Sequence, residues 1–273
     1  LILFPNCKIN LGLNILRKRE DGYHDLETVF YPLSLKDAVE VIKTNGETET
    51  SVHFTSSGLE IAGEEKDNLC VKAYHLLKKD FPQLPSIELH LHKNIPMGAG
   101  LGGGSADGAF VLMLLNEKFK LSLSKTQLID YALQLGSDCP FFILNKPCFA
   151  QGRGELMHPQ DINLAGYRFV IVKPGIHVST GWAFASITPK IPVKSIKEII
   201  QQPVGTWKEE LMNDFEAPVA AKYPEISHIK NQLYKNGALY ASMTGSGSSV
   251  IGIFSPSVSP VFSFPDSWFV QVL

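Results

Sequence analysis

The residues from 96 to 106, Pro-Met-Gly-Ala-Gly-Leu-Gly-Gly-Gly-Ser-Ala, hold five glycines within seven positions. Backbone with so few side chains can bring its N–H groups close to an oxyanion, and a helix starting just after it adds the positive end of its dipole. Phosphate is the expected guest. Gly98, Gly100 and Gly103 satisfy G-x-G-x-x-G literally, but a dinucleotide fold needs a following strand that ends in an acidic residue about 20 positions on. Residues 121 to 135 read instead as a short loop and a helix. A Walker A loop needs Lys and then Ser or Thr after its last glycine, whereas Gly104-Ser105 follow Gly103. With no lysine in the segment, phosphate charge falls to backbone dipoles, a divalent cation and basic groups from elsewhere. Ser105 is expected to cap the helix.

Phosphoryl transfer also needs a group to accept a hydroxyl proton and cations to hold the developing charge. Gly136-Ser137-Asp138-Cys139-Pro140-Phe141-Phe142 offers Asp138, a carboxylate on a tight loop after a helix with apolar residues around it; alone it reads as a turn or cap. Lys8 stands on the polar side of a strictly alternating stretch, with Asn10, Gly12 and Asn14 beside it and Ile9, Leu11, Leu13 and Ile15 opposite. Asp21-Gly22-Tyr23-His24 reads as a turn followed by a half-exposed aromatic and an imidazole. Residues 243 to 249, Met-Thr-Gly-Ser-Gly-Ser-Ser, form a second glycine-rich connection. His90 and His92 share one strand face, but Glu88 continues it, which reads as a solvated face rather than a metal site.

The elements that must position these groups follow from periodicity. Strands are expected at residues 8–15, 26–33, 38–43, 51–55 and 87–91, and helices at 68–79, 106–119 and 125–135, with a mixed segment through residue 147. After about residue 160 come a strand at 169–173, helices at 195–202 and 225–235, and strands at 239–243 and 250–254. Two α+β lobes divided near residues 150 to 165 are expected.

In their order along the chain, from about residue 5 to 254, these motifs resemble those of the GHMP kinases. Pro5-Asn6-Cys7-Lys8-Ile9-Asn10-Leu11 is similar to the family's first motif. Residues 96 to 106 resemble its second, P-x-G-x-G-L-G-x-S-[SA], with an extra glycine, and residues 243 to 249 its third. Asp138 falls where the family's G-[AS]-D-[VCI]-P-[VF]-F segment carries its catalytic aspartate. Asp21-Gly22-Tyr23-His24 looks like the signature of members whose substrate is a cytidine-diphosphate-linked methylerythritol. Members acting on mevalonate, homoserine or galactose carry Gly-Glu-His instead, so they are disfavoured, as are the diphosphomevalonate decarboxylases.

The resemblance implies an α+β, two-lobed fold, with a β-rich N-terminal nucleotide-binding lobe over 1–155 and a ferredoxin-like α/β sandwich lobe over 156–273. It implies an ATP-dependent kinase that phosphorylates the 2-hydroxyl of that methylerythritol, using ATP and Mg2+, with Asp138 as base and Lys8 as its partner. Pro96, Met97, Gly98, Ala99, Gly100, Leu101, Gly102, Gly103, Gly104, Ser105 and Ala106 would hold the nucleotide, and Gly245, Ser246 and Gly247 would close over the phosphates. Tyr23 would stack on the cytosine, His24 would hydrogen-bond its edge, Asn10 would lie near the methylerythritol, and Phe184 would form a second aromatic wall. Where family members often have Ser-Ser-Asn, Ser105-Ala106-Asp107 stands here; Asp107 would favour the helix start or touch bound metal. A nucleotide-binding regulator of the same fold is the rival class, and retention of both Lys8 and Asp138 speaks against it.

Composition limits the rest. With 273 residues, 44% hydrophobic and 19% charged, the chain can bury one large core or two smaller ones. Lys and Arg total 25 against 27 Asp and Glu, so no positive field exists to hold a nucleic acid. Cys7, Cys70, Cys139 and Cys148 lack metal or disulfide spacing and suit a reducing compartment. No apolar run approaches the ~20 residues of a membrane span, and the opening residues are too short and uncharged for a secretion signal. A cytoplasmic monomer or homodimer with small-molecule partners is expected.

Overall fold

The computed structural model describes residues 1–44 and 52–273. In chain order they form β1 (Ile2–Leu3), β2 (Asn6–Lys18), β3 (His24–Lys36), β4 (Ala38–Lys43), β5 (Val52–Gly58), α1 (Leu69–Asp80), β6 (Ile87–Lys93), α2 (Gly103–Phe119), α3 (Lys125–Leu135), α4 (Cys139–Leu144), β7 (Cys148–Gly152) and β8 (Leu156–Pro159). There follow β9 (Arg168–Lys173), α5 (Thr180–Ala185), α6 (Ile196–Ile199), α7 (Trp207–Glu210), α8 (Glu216–Lys222), α9 (Glu225–Lys235), β10 (Tyr240–Met243), β11 (Val250–Phe254) and β12 (Phe269–Val272). This is the α+β class expected. Contacts group the residues into two compact units that interleave along the chain: 1–7, 34–97 and 102–146 in the first, 8–33, 98–101 and 147–273 in the second.

The first unit holds a sheet in the order β1-β4-β6-β5, with β4 antiparallel and β5 parallel to β6. Alternation along β6 turns Ile87, Leu89 and Leu91 into the core. On the other face His90 meets the hydroxyls of Thr55 and Ser57, and His92 meets Ser57. Helix α1 buries Val71, Ala73, Tyr74 and Leu77, and the Asn68 side chain caps it by accepting from Cys70 N–H at 2.9 Å. Helix α2 packs against α1, and a Cβ on Gly108 would fall 2.9 Å from Leu69 Cβ. A Ser124 and Gln127 capping box starts α3.

The second unit contains a sheet in the order β2-β3-β7-β8 and an antiparallel one in the order β10-β11-β9-β12. Its core joins Leu13, Ile15 and Leu26 to Val170, Val172, Met243, Val250 and Phe254, together with Val219, Ile226, Ile229 and Leu233 from α8 and α9.

Several sequence expectations need correction. Elements β1, α4, β7, β8, α5, α7, α8 and β12 were not anticipated, and the helix expected over 195–202 is confined to Ile196–Ile199. The strand expected from Ser51 has its first residue outside the described residues. The polar side of β2 is not solvated: Lys8, Asn10 and Asn14 are 3%, 2% and 8% exposed, because β2 carries hydrogen-bonding partners on that side as well. Asn14 donates to the buried Glu27, whose carboxylate also accepts from the Ser195 hydroxyl and the Ile196 N–H at the start of α6. Among the described residues, no helix is long and apolar enough to cross a membrane.

Candidate active site

Gly103 and Gly104 belong to the first turn of α2, while Gly98, Gly100 and Gly102 precede it. The helix begins at Gly103, not Ala106, and Gly102 in the left-handed region takes the cap position that sequence gave to Ser105, which lies within the first turn. Small residues allow the earlier start because something lies directly beneath it: a Cβ on Gly103 would fall 2.8 Å from Ile95 Cγ2 and 3.0 Å from Lys93 Nζ. The first-turn amides of a helix have no helical acceptors and gather there under the positive end of its dipole.

Lys93 under that turn is fully buried and forms ion pairs with Asp37 and, at 2.7 Å, with Asp107. Asp37 also accepts the N–H groups of Asn94 and Ile95 at 2.6 and 2.8 Å. Burial alone would lower the Lys93 ammonium, but the carboxylates of Asp107 and Asp37 outweigh it and hold the lysine raised. Burial, with Asp37 adding to it and Lys93 opposing, pushes Asp107 up to about 8. Asp107 is thus a buried partner of Lys93 rather than only a favourable residue at a helix start. Its Oδ1 has no hydrogen-bond partner, and the residue borders a cavity of about 270 Å³ lined also by Phe54, Ile61, Leu69, Leu91 and Met97.

Asp138 sits, half buried, at the N-cap position of α4, but its side chain makes no capping bond to that helix. The next residue, Cys139, interacts with the Ser105 hydroxyl, and burial pushes its thiol up to about 12. Helices α2 and α4 are in contact. Within the first unit, then, the start of the glycine helix and the Asp138 segment lie side by side.

The second unit gathers the first half of the glycine segment and the third motif. Lys8 N–H donates to Leu101 O at 2.9 Å, and Ser249 N–H donates to Ala99 O at 3.3 Å. Gly100 has φ +74°, and a Cβ there would stand 2.1 Å from Thr244 O, so only glycine lets residues 98–101 and 244–249 close on each other. The Thr180 and Ser246 hydroxyls are 3.1 Å apart, and the Ser248 hydroxyl donates to Ile176 O. Asn213 Nδ2 donates to Met243 O and Gly245 O at 2.7 and 2.9 Å, bracing the loop from behind. The Lys8 ammonium donates to Asn10 Oδ1 at 2.7 Å and lies 4.8 Å from the Phe30 ring centroid.

The aromatic groups separate into two sets. His24 stacks on Phe184 at 4.9 Å, and Phe184 meets Phe215 edge-on at 4.8 Å. Burial lowers the His24 imidazole, with Lys18 adding to the effect. Tyr23 is exposed beside them in sequence, and the Arg153 guanidinium lies 4.6 Å from its ring centroid. The Arg19–Asp21 pair holds the turn before it, and Asp21 also accepts Tyr23 N–H.

Of the residues singled out by sequence, the structure joins Lys8 to Asn10, residues 98–101 to the third motif, His24 to Phe184, and the Asp138 segment to Ser105. Lys8 belongs to the second unit and Asp138 to the first. Sequence reading passed over Lys93, Asp37, Thr28, Asn213 and Arg153. Only Lys93 left a signal, because it continues the inward phase of Ile87, Leu89 and Leu91 where a lysine has no place unless paired.

The sequence matches the GHMP kinases N terminal domain over residues 68–146 and the GHMP kinases C terminal domain over residues 195–261. The chain belongs to the GHMP kinase family. It is 57% identical to the 4-diphosphocytidyl-2-C-methyl-D-erythritol kinase of Bacteroides fragilis, over 94% of this chain and 93% of that protein. It is 56% identical to the protein of the same name from Bacteroides thetaiotaomicron, with the same coverage. A crystal structure of 4-(cytidine 5'-diphospho)-2C-methyl-D-erythritol kinase matches with a TM-score of 0.76 at 30% identity, covering 93% of this chain and 90% of that one.

Proposed function

We propose that this chain transfers the terminal phosphoryl group of ATP to the 2-hydroxyl of 4-diphosphocytidyl-2-C-methyl-D-erythritol in the cytoplasm, a step of the methylerythritol phosphate route to isoprenoid precursors. The observation that supports it most is the contact of the segment that carries Asp138 with the first turn of α2, whose amides suit a phosphate. The 57% identity to a relative named for that reaction adds to it. We assign the family's two domains to residues 1–155 and 156–273.

In this reading the apolar cavity beside Met97 and Asp107 takes the adenine, and the segment 96–106 holds the phosphates. Asp138 accepts the proton of the attacking hydroxyl, and Lys8 supports the charge that develops on the oxygens. Gly245, Ser246 and Gly247 close over the phosphates. Tyr23 and Phe184 flank the cytosine, His24 bonds its edge, and Asn10 contacts the methylerythritol. Among the described residues no group of three or more His, Cys, Asp or Glu side chains is placed to hold a metal. Magnesium held by substrate phosphates needs only one or two protein carboxylates, so it could enter with the nucleotide. When bound it neutralises charge on the phosphoryl oxygens.

Incubation with ATP, magnesium and the cytidine substrate should yield ADP and a 2-phosphorylated product, read by phosphorus NMR. Binding of both ligands without turnover would favour the regulator, and turnover of a different alcohol would reassign the substrate.

A further inference from the structure

We propose that Thr28 is a positioning residue for phosphoryl transfer, because it sets which end of the Asn10 amide meets the Lys8 ammonium. The proposal rests on the role given to Lys8 above. Thr28 is fully buried on β3. Its hydroxyl donates to the carbonyl oxygen of Gly12 at 2.5 Å. A hydroxyl has one hydrogen, so with that hydrogen committed to Gly12 only lone pairs remain for Asn10. Asn10 must answer with its N–H, and Nδ2 lies 2.9 Å from Thr28 Oγ1. An amide whose nitrogen is held on one side presents its oxygen on the other, and Oδ1 receives Lys8 Nζ at 2.7 Å.

The Asn10 backbone is fixed as well, since its N–H donates to Thr244 Oγ1 at 2.9 Å. Lys8, Asn10 and Thr28 are at most 3% exposed, which leaves little room for solvent to substitute for a lost bond. A carbonyl of the β2 backbone thereby determines, through two side chains, where the lysine charge stands. Without the Thr28 hydroxyl the Asn10 N–H loses its buried acceptor, and the amide can swing out of the position in which its oxygen holds the ammonium.

Thr28→Val keeps the shape and removes the hydroxyl, and Thr28→Ser keeps the hydroxyl and removes the methyl. Both are compared with wild type and Lys8→Ala under steady-state turnover of ATP and the cytidine substrate, with rates taken per folded molecule from circular dichroism. The expected result for Thr28→Val is a kcat about tenfold or more below wild type with both KM values within about twofold, while Thr28→Ser stays within about threefold. A Thr28→Val kcat within about twofold of wild type overturns the proposal. A Thr28→Ser enzyme as slow as Thr28→Val also overturns it, because lost packing would then be the cause. If Lys8→Ala turns over normally, the role of Lys8 fails and this inference with it. If Lys8→Ala is slow and Thr28→Val normal, only the Thr28 inference fails.

Discussion

An aspartate at the head of a helix ordinarily accepts an N–H from the first turn, but Asp138 makes no such bond to α4. In the proposed reaction Asp138 takes the proton of the attacking hydroxyl, so Asp138→Asn is expected to lower kcat by roughly 10²- to 10⁴-fold while calorimetric ATP affinity stays nearly constant. Tyr23 projects its ring from a turn held by ion pairs. Stacking of a base on an aromatic ring contributes about 1–3 kcal/mol, so Tyr23→Ala should raise the KM for the cytidine substrate and leave that for ATP unchanged. Asp107 gives a pH-dependent signature. Its folded-state value of about 8 lies above the ordinary 3.8, so its contribution to stability is full below the lower value and lost as pH rises through the higher one. The melting temperature of Asp107→Asn, measured relative to wild type, should therefore rise between about pH 4 and pH 8. A flat difference would place the proton elsewhere in the cluster.

At the level of elements, β4, α3 and α9 were legible because each is amphipathic, and β11, buried throughout, showed as a short apolar run after a glycine-rich turn. The short α4 was hidden by its all-apolar sequence, Cys-Pro-Phe-Phe-Ile-Leu, which has no period to read. The buried polar side of β2 was hidden for another reason: alternation tells which residues share a face, but not whether that face meets water or partners such as Thr28 and Glu27. The motif positions were visible because glycine requirements are local. The bonds of Thr28, Asn213 and Lys93 were invisible because their partners lie far away in sequence. Gly100 tests the closest of these approaches. Gly100→Ala would place a methyl into the Thr244 carbonyl and a side chain in the left-handed region, which costs about 1–2 kcal/mol before any clash is counted. A lower melting temperature and a higher KM for ATP are expected.

For the whole molecule, a near-neutral charge and an ordinary apolar content fit an enzyme of small ligands rather than of polyanions. Ligand-linked stability checks this without any turnover. Each ligand that binds only the folded chain adds about 2.7 kcal/mol at a hundred times its dissociation constant. CDP and a non-hydrolysable ATP analogue should therefore each raise the melting temperature, and together raise it further.

The interleaving of the two contact groups has a consequence for synthesis on the ribosome. Strands β2 and β3 are made early, yet β9, β10 and β11, which complete the core around Leu13, Ile15 and Leu26, all come after residue 167. At ordinary elongation rates the wait is on the order of ten seconds. During it the nascent hairpin must remain unaggregated with an apolar face uncovered.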